Sequence, residues 1–385
     1  MVLQSADIFN FKNIANARIE FSPKVNCVLG RNGMGKSNLL EAVHYLSFVR
    51  GFRSMPDSAY LRHGEDSMLV KGIYLADDGS TDEVSCGMVQ GRRKTVKRDG
   101  KSYSRLSEHI GRYPLVVAAP QDVMLVNGSG DDRRRFMDMV ISQCDPLYLP
   151  ALNRYLRSLE SRNRMLRSGI RDTLLYESVE APLCEAAMQL HAMRKDWTEK
   201  LQPVFNRYYE AVSGGQEKVA LVYRSRLEEC DMKSLLRETR AKDTVLGYTS
   251  AGAHRDDLDT FLGDYSMKRL GSQGQIKTYV IALKLAVYEY LKSNRGITPL
   301  LLLDDIFDKL DATRVERIMN VVGPGSDFGQ IFVTDTNREH LDRILSGMDE
   351  HLLLEADHGA FTVISEHRAD GTAKAVPAEE AKRAE

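Results

Sequence analysis

The stretch Gly30-Arg31-Asn32-Gly33-Met34-Gly35-Lys36-Ser37 fits the pattern G-x-x-x-x-G-K-[ST] at every position. A short apolar run, residues 24–29, precedes it, and apolar residues at helical spacing follow from Asn38 onward. Glycines keep side chains away from the start of a helix, so that backbone N–H groups can hold phosphate there. The pattern therefore predicts a strand, a phosphate loop and a helix that together bind a nucleoside triphosphate.

Each position of this loop has an expected role. We expect the Lys36 ammonium to reach the β- and γ-phosphates of ATP, and the Ser37 hydroxyl to ligate Mg²⁺. The predicted nucleotide contacts are Gly30, Arg31, Asn32, Gly33, Met34, Gly35, Lys36, Ser37 and Asn38. The alternative, a chance glycine-rich turn, is disfavoured by the strand and helix patterns on either side.

Bulk composition places few limits on function. The chain has 385 residues, of which 43% are hydrophobic and 28% charged, as in an ordinary globular protein with room for two domains. Lys plus Arg (53) nearly balance Asp plus Glu (54), so a nucleic-acid surface must come from local clustering. The five cysteines are scattered, without a C-x-x-C pair, which argues against a disulfide framework or a zinc ribbon. With no signal peptide and no long apolar run, we expect a cytoplasmic protein without a membrane partner.

Residues 300–305 predict the second half of the nucleotide site. Four leucines run into Asp304 and Asp305, which is typical of a Walker B strand. We expect Asp304 to hold the magnesium water shell opposite Ser37, and Asp305 to orient the attacking water. Asp305 is one methylene shorter than the glutamate usual at that position. A plain core strand followed by an acidic turn is the alternative, and the phosphate loop makes it the weaker one.

Between Lys36 and Asp304 lie about 270 residues, more than in compact nucleotide kinases. Something large must be inserted between the two halves of the site. Gly271-Ser272-Gln273-Gly274-Gln275, just before a predicted helix, is similar to the signature motif of ATP-binding-cassette ATPases, with Ser272, Gly274 and Gln275 in place. In that architecture the serine and the helix N-terminus bind the γ-phosphate held by a second chain. Gly271 stands where leucine is common, which predicts looser docking of this turn.

Basic residues cluster in two places. Residues 91–101 contain six positive side chains and the hairpin signal Asp99-Gly100. A helix beginning near Leu147 carries six arginines against Glu160. Both clusters are open to two interpretations: solvated charge, or contact with a nucleic-acid backbone. The candidate DNA contacts are Arg92, Arg93, Lys94, Arg154, Arg157, Arg162 and Arg164.

Secondary-structure patterns suggest how the insertion is built. From Leu147 to about Tyr209 the spacing predicts amphipathic helices of about 25 residues each, broken near Ser168-Gly169 and near Pro182. An antiparallel pair of that length reaches only about 40 Å. Residues 217–224 and 244–250 are predicted as strands.

The whole pattern resembles the RecF family of bacterial recombinational repair ATPases, which are related to SMC proteins. The resemblance covers about residues 1–365 and rests on Phe11-Lys12-Asn13, Asn26 to Arg53, Arg134-Arg135 to Asp138, Gly252 with His254-Arg255-Asp256-Asp257, Ser272 to Gln275 with Lys277-Thr278, and Asp304-Asp305 to Leu310-Asp311. It implies an α/β fold: an ATPase head of the ABC/SMC phosphate-loop type (lobe I) with an inserted short α-helical arm (lobe II).

Four segments follow from this resemblance. The N-terminal part of the head covers residues 1–125, the arm 126–245, and the C-terminal part of the head 246–367. Residues 368–385, rich in Ala, Glu and Lys, are predicted to be a disordered tail. By position, Gln121 looks like the Q-loop residue that senses Mg²⁺ and the γ-phosphate, and Asp308 to Asp311 looks like the D-loop. Thr334-Asp335-Thr336 stands where transporter ATPases carry a switch histidine, so hydrolysis is expected to lack that sensor.

The resemblance also implies an activity and partners. It implies an ATP-dependent homodimer, weak DNA-stimulated ATPase activity that acts as a switch, and binding to gapped DNA or single-strand/duplex junctions. The family role is to recruit RecO and RecR, and through them RecA, in repair, recombination and replication-fork maintenance.

Proteins with two other functions have the same phosphate loop. The ATPase subunit of a transporter seldom has so large a helical insertion, and a phosphotransferase does not account for the signature turn. An SMC protein with a long coiled coil is excluded by the short insertion.

Overall fold

The structure is a computed structural model that describes residues 1–53, 55–215, 217–307, 310–323 and 325–368, and the backbone of 373–375. The strands are β1 Val2–Phe11, β2 Ile14–Glu20, β3 Val25–Leu29, β4 Ser67–Leu75, β5 Thr81–Val89, β6 Thr95–Arg98, β7 Lys101–Ser102, β8 Leu115–Ala118, β9 Val219–Arg224, β10 Asp257–Leu262, β11 Tyr265–Ser266, β12 Leu300–Asp304, β13 Ile331–Asp335, β14 His351–Asp357, β15 Ala360–His367 and β16 Ala373–Ala375. The helices are α1 Lys36–Phe48, α2 Met124–Asn127, α3 Gly130–Cys144, α4 Tyr148–Arg167, α5 Thr173–Ser213, α6 Met232–Leu246, α7 Met267–Leu270, α8 Gln273–Arg295, α9 Ala312–Val322 and α10 Arg338–Leu345.

These elements form two compact units, residues 1–121 with 291–385, and residues 122–290. The division into segments 1–125, 126–245, 246–367 and 368–385 stays a prediction. The proposed tail lies outside the described residues from Ala369 onward, apart from the backbone of β16. Of the proposed D-loop, Asp308 and Lys309 also lie outside them.

The first unit contains two sheets. Antiparallel strands form the first, in the order β2-β1-β4-β5-β6-β7. The second has the order β16-β15-β14-β3-β13-β12-β8, and its members from β14 to β8 are parallel. Helix α1 follows β3 and buries its leucines completely, Leu39, Leu40 and Leu46 among them. The predicted α/β architecture is confirmed, as are the strand and helix on either side of residues 30–35.

The second unit is mainly helical. Helices α4 and α5 pack together around buried side chains that include Tyr155, Leu183, Leu190 and Trp197. A three-stranded sheet, β11-β10-β9, completes this unit. The predicted break at Ser168-Gly169 is confirmed, since the chain turns between α4 and α5 there.

Two predictions about the helical segment are wrong. Helix α5 runs for 41 residues through Pro182 instead of ending there. Burial of Leu183, Ala186 and Leu190 on its inner face outweighs the lost backbone hydrogen bond. At 1.5 Å per residue α5 is about 60 Å long, well beyond the expected 40 Å. Residues 244–250 are not a strand: α6 continues to Leu246 and ends at Gly247, whose positive φ of 70° terminates a helix.

Candidate nucleotide-binding site

The loop between β3 and α1 needs glycine for two different reasons. Gly33 and Gly35 have φ of 84° and 111°, a region that side chains disfavour. A Cβ on Gly35 would also lie 3.0 Å from the Asn13 amide, whereas one on Gly33 would meet nothing within 4 Å. The Gly359 N–H donates to the carbonyl of Met34 at 2.8 Å, which ties the loop to the β14–β15 turn. The loop is therefore preformed, with open space beside Gly33.

Lys36 connects this loop with the Walker B strand. Its side chain is only 3% exposed. The ammonium donates to the carbonyl of Gly30 at 2.8 Å, and lies 3.7 Å from Asp305 Oδ1. The parallel sheet explains this approach, because β3 and β12 both flank β13 and end at the same edge. The structure thus brings together the predicted Lys36 and Asp305.

Thr334, at the end of β13, holds both Walker B acids in place. Its hydroxyl donates to Asp304 Oδ1 at 2.9 Å and accepts the N–H of Asp305 at 3.0 Å. Asp304 is buried, and Asp305 has a left-handed φ of 44°. Such a backbone conformation is strained for a non-glycine residue and is common at functional sites. In the sequence, Thr334 was noted only because the segment Thr334-Asp335-Thr336 stands where transporter ATPases carry a switch histidine. The structure shows that Thr334 positions the two carboxylates.

The electrostatics around Asp305 favour a proton-accepting role. Burial raises the pKa of Asp305, the charge of Lys36 opposes that effect, and the neighbouring Asp304 and Asp335 carboxylates add to the increase. Within the described residues, Asp305 Oδ1 is buried and accepts no hydrogen bond. The Lys36 ammonium, 3.7 Å from this oxygen, is an ion-pair partner beyond hydrogen-bond distance. A carboxylate with a raised pKa and an oxygen that accepts no hydrogen bond can accept a proton or orient water.

The raised pKa of Asp305 predicts how the stability of the first unit depends on pH. An acid whose pKa is higher in the folded state binds more protons folded than unfolded, so the free energy of unfolding falls as pH rises through that range. At neutral pH the ionised Asp305 therefore destabilises the first unit. We expect Asp305→Asn to raise the melting temperature at pH 7, and the gain to vanish below the ordinary aspartate pKa. Calorimetry across that pH range measures this difference. A lower melting temperature for Asp305→Asn at pH 7 would contradict the assignment.

Charged residues from the β1–β2 turn, from α1 and from the segment after α1 lie near Asp304. Arg53 Nη2 lies 3.8 Å from Asp304 Oδ2. The Lys12 ammonium pairs with the fully buried Glu41 carboxylate. Burial lowers the pKa of Lys12 to about 8, and Arg53 contributes to that decrease. These four side chains belong to motifs quoted for the family resemblance, but their mutual contacts had no signal in the spacing of one sequence.

Asn13 and Gln121 lie at the same edge of the parallel sheet. Asn13 Oδ1 accepts a 2.7 Å hydrogen bond from Asn38, which was predicted as a nucleotide contact. Gln121 is half-buried, three residues beyond the end of β8, whose Ala118 pairs with Leu303. The oxygen groups of Ser37, Asp304 and Gln121 suit the hard cation Mg²⁺. Their roles as ligands stay predictions.

The signature turn lies in the second unit, where it caps α8. The Ser272 N–H donates to Gln275 Oε1 at 2.9 Å, and the Gln275 N–H donates to Ser272 Oγ at 3.2 Å. This reciprocal pair is a capping box, so the spacing S-x-x-Q has a local structural reason as well. Ser272 is exposed, and Gly274 follows in the first turn of the helix. The exposed N-terminus of α8 retains the predicted capacity for an anion.

Gly271 lies in a tightly packed turn. A Cβ at this position would lie 2.6 Å from the carbonyl oxygen of Met267 and 3.1 Å from Ile276 Cγ1. Leucine therefore does not fit here without displacing α7. The expectation of looser docking onto a second chain stays a prediction.

The first basic cluster lies at the turn between β5 and β6. Arg92 and Arg93 are exposed, whereas Lys94 pairs with Asp57 at 2.6 Å and donates to the carbonyl of Val49 at 2.8 Å. The Asp99-Gly100 hairpin is confirmed between β6 and β7, with φ of 50° and 74°. Two of the three predicted contacts are thus free to meet a phosphate backbone, and Lys94 is engaged within the fold.

The second basic cluster requires one correction. Arg154, Arg157 and Arg164 are exposed on α4, the first paired with Glu185 and the last with Glu160. Arg162 is completely buried, and its guanidinium donates to Glu180, Asp243 and Thr249. The assignment of Arg162 as a DNA contact is wrong, because the helix turns this side chain toward α6 and leaves no part of it for a phosphate.

Because Arg162 is buried in an ion pair, we expect its replacement to destabilise the fold. Removing one partner of a buried ion pair leaves an uncompensated charge and costs about 3–5 kcal/mol. We expect Arg162→Leu to lower the free energy of unfolding by about that amount, because Asp243 then stays buried without its cation. The fluorescence of Trp197, the one tryptophan of the chain and buried in α5, reports urea unfolding of this unit. Arg164→Leu is the matched control and should change stability by less than about 0.5 kcal/mol. Equal stabilities of the two variants would contradict the buried network.

The fold and the paired Walker motifs define a phosphate-loop ATPase head. A family model described as "RecF/RecN/SMC N terminal domain" matches residues 2–351. Curated relatives include the DNA replication and repair protein RecF of Porphyromonas gingivalis, 46% identical over 93% of this chain and 99% of the relative, and that of Parabacteroides distasonis, 46% identical over 95% and 100%. The chain belongs to the RecF family.

Solved structures of this family have a fold similar to that of this chain. A structure of the recombination mediator protein RecF with ATP has a TM-score of 0.85 and 27% identity, covering 94% of this chain and 97% of its own. An Smc head domain from Pyrococcus furiosus has a TM-score of 0.56 and 16% identity over 100% and 98% of the two chains, and shows the fold alone. No helix among the described residues is long and apolar enough to cross a membrane.

Proposed function

We propose that this chain is an ATP-switched DNA-binding ATPase of recombinational repair and replication-fork maintenance. The observation that carries the proposal is the approach of Lys36 to Asp305 within 3.7 Å, in a chain whose loop leaves open space beside Gly33. The relatives named RecF act in DNA replication and repair, and one solved relative is a RecF with ATP. This kinship favours a repair ATPase over the transporter subunit.

The residues present fit ATP and Mg²⁺. Open space beside Gly33 and the backbone N–H groups at the start of α1 suit phosphate, and Lys36 supplies the positive charge. The carboxylate oxygens of Asp304 and the hydroxyl of Ser37 would hold Mg²⁺. Bound there, the metal supplies charge neutralisation for the β- and γ-phosphates. Asp305, whose pKa is raised and whose Oδ1 accepts no hydrogen bond, orients water and accepts its proton.

Dimerisation is the proposed consequence of ATP binding. The exposed Ser272 and the N-terminus of α8 would contact the γ-phosphate held by the loop of a second copy. Two chains then close on ATP and DNA, and slow hydrolysis separates them. Exposed arginines at residues 92, 93, 154, 157 and 164 are the proposed contacts with DNA, whose phosphates make such binding dependent on salt.

The dimer on DNA would in turn recruit RecO and RecR, and RecA through them. Gapped DNA and single-strand/duplex junctions are the proposed targets, which associates the chain with the nucleoid. Sedimentation of fluorescently labelled gapped DNA with the protein, with and without ATP, tests the proposal. We expect ATP to add two chains to the DNA. Protein that stays monomeric and off DNA in both conditions would overturn it.

A further inference from the structure

The second unit exposes apolar side chains where three helix ends meet. Leu174 and Val245 are 76% and 87% exposed, the two most exposed large apolar side chains in the described part of the chain. The turn after α4, the start of α5 and the end of α6 contribute to this surface, which we call the arm tip: Ile170, Leu174, Leu175, Val245, Leu246 and Tyr248. Clustered apolar exposure of this kind marks binding sites more often than chance.

Contacts among the three helices hold the arm tip together. A Cβ on Gly247, just after α6, would lie 3.4 Å from Arg167 Cγ of α4. The Thr249 N–H donates to Asn163 Oδ1 of α4 at 2.7 Å. The Arg240 guanidinium of α6 lies 4.2 Å from the ring centre of Tyr176 in α5. The apolar side chains therefore stand on three helices that contact one another directly.

The charges around the arm tip are predominantly positive and available. Arg167, Arg171 and Lys242 are exposed, and none of them forms an ion pair within the described residues. Two nearby acids, Asp243 and Glu180, pair with Arg162 inside the fold. Asp172, which caps α5, and Glu177 are exposed, so these three exposed cations outnumber the two exposed acids beside them. An incoming surface with carboxylates would thus meet more attraction than repulsion.

We propose that the arm tip docks a protein partner that presents apolar side chains beside carboxylates. DNA also complements the positive charge, but phosphates and sugars gain nothing from exposed leucine and valine. Protein interfaces, in contrast, bury an apolar centre inside a polar rim. The inference rests on the proposed function, whose partner proteins are RecO and RecR, and it assigns their recruitment to residues other than those proposed to bind nucleotide.

A neutral double variant separates the apolar contribution from the charge. Leu174→Ser with Val245→Ser removes the apolar anchors and leaves every cation in place. Leu147→Ser is the matched control, because Leu147 is 68% exposed at the other end of α4. Binding of purified RecO and RecR from the same organism is measured by biolayer interferometry, and DNA binding and ATP-driven dimerisation are measured in parallel.

We expect the double variant to bind one of the two proteins about tenfold more weakly or worse, as loss of two interface anchors does, with DNA binding and dimerisation unchanged. Unchanged binding of both proteins by the double variant would overturn the arm-tip proposal. Loss of DNA binding, or of dimerisation, with partner binding intact would also overturn it and identify DNA or a second copy as the occupant. If the wild-type chain binds neither protein, the partner assignment of the proposed function fails, and the inference fails with it.

Discussion

Replacing Lys36 with alanine should abolish useful ATP binding. The ammonium is nearly buried beside the phosphate loop and donates to the carbonyl of Gly30, so its charge is already oriented into the site. Charge-assisted hydrogen bonds contribute about 1.5–3 kcal/mol each, and the loss of two corresponds to roughly a hundredfold or more in affinity. Titration with a fluorescent ATP analogue measures this loss. DNA-dependent functions should disappear together with nucleotide binding.

Lys24→Ala is the matched control for this experiment. Lys24 is exposed just before β3, whereas Lys36 follows the carboxyl end of that strand. We expect Lys24→Ala to bind the analogue as the wild-type chain does. Wild-type affinity in Lys36→Ala, with both variants folded by calorimetry, would contradict the role of the loop.

Asp305→Asn should separate ATP binding from hydrolysis. The amide keeps the size of the side chain but cannot accept a proton, and loss of a positioned proton acceptor slows a reaction by about 10²–10⁴-fold. Lys36 and Asp304 remain in place, so ATP still binds and two chains stay closed. Steady-state phosphate release and sedimentation with ATP measure the two properties separately.

The control for Asp305→Asn is Asp342→Asn, on the exposed face of α10, where Asp342 pairs with Arg338. That variant should hydrolyse ATP normally. In the wild-type chain, the acid limb of the pH profile should lie above the ordinary aspartate pKa, because burial and neighbouring carboxylates raise the pKa of Asp305. Normal turnover by Asp305→Asn would show that another group orients the water.

Local sequence patterns correctly predicted the structural features that depend on residues close together in the chain. The loop at 30–37, the strand ending in Asp304 and the hairpin at Asp99-Gly100 each depend on residues close together in the chain, and each appears in the structure. The long helix α5 was missed because propensity rules count Pro182 as a break, whereas tertiary packing of Leu183 and Leu190 overrides that local cost.

Contacts between distant residues could not be predicted in the same way. Arg162 looked like one more surface arginine because its partner Asp243 is 81 residues away in the sequence. Thr334 carried no catalytic pattern, yet its hydroxyl fixes both Walker B acids from the neighbouring strand. Such roles depend on which elements the fold places side by side, and a single sequence contains no direct record of that.

We propose that each nucleotide is held between the phosphate loop of one chain and Ser272 of another. This arrangement is tested most directly by mixing two inactive variants. Ser272→Arg keeps an intact loop but blocks the signature turn, and Lys36→Ala keeps the turn but loses the loop. Alone, Lys36→Ala should bind ATP too poorly to hydrolyse it, and Ser272→Arg should dimerise too poorly to do so. Mixed in equal amounts, they should regain part of the wild-type rate, because a mixed dimer contains one complete site. No gain on mixing, or normal hydrolysis by Ser272→Arg alone, would contradict the shared site.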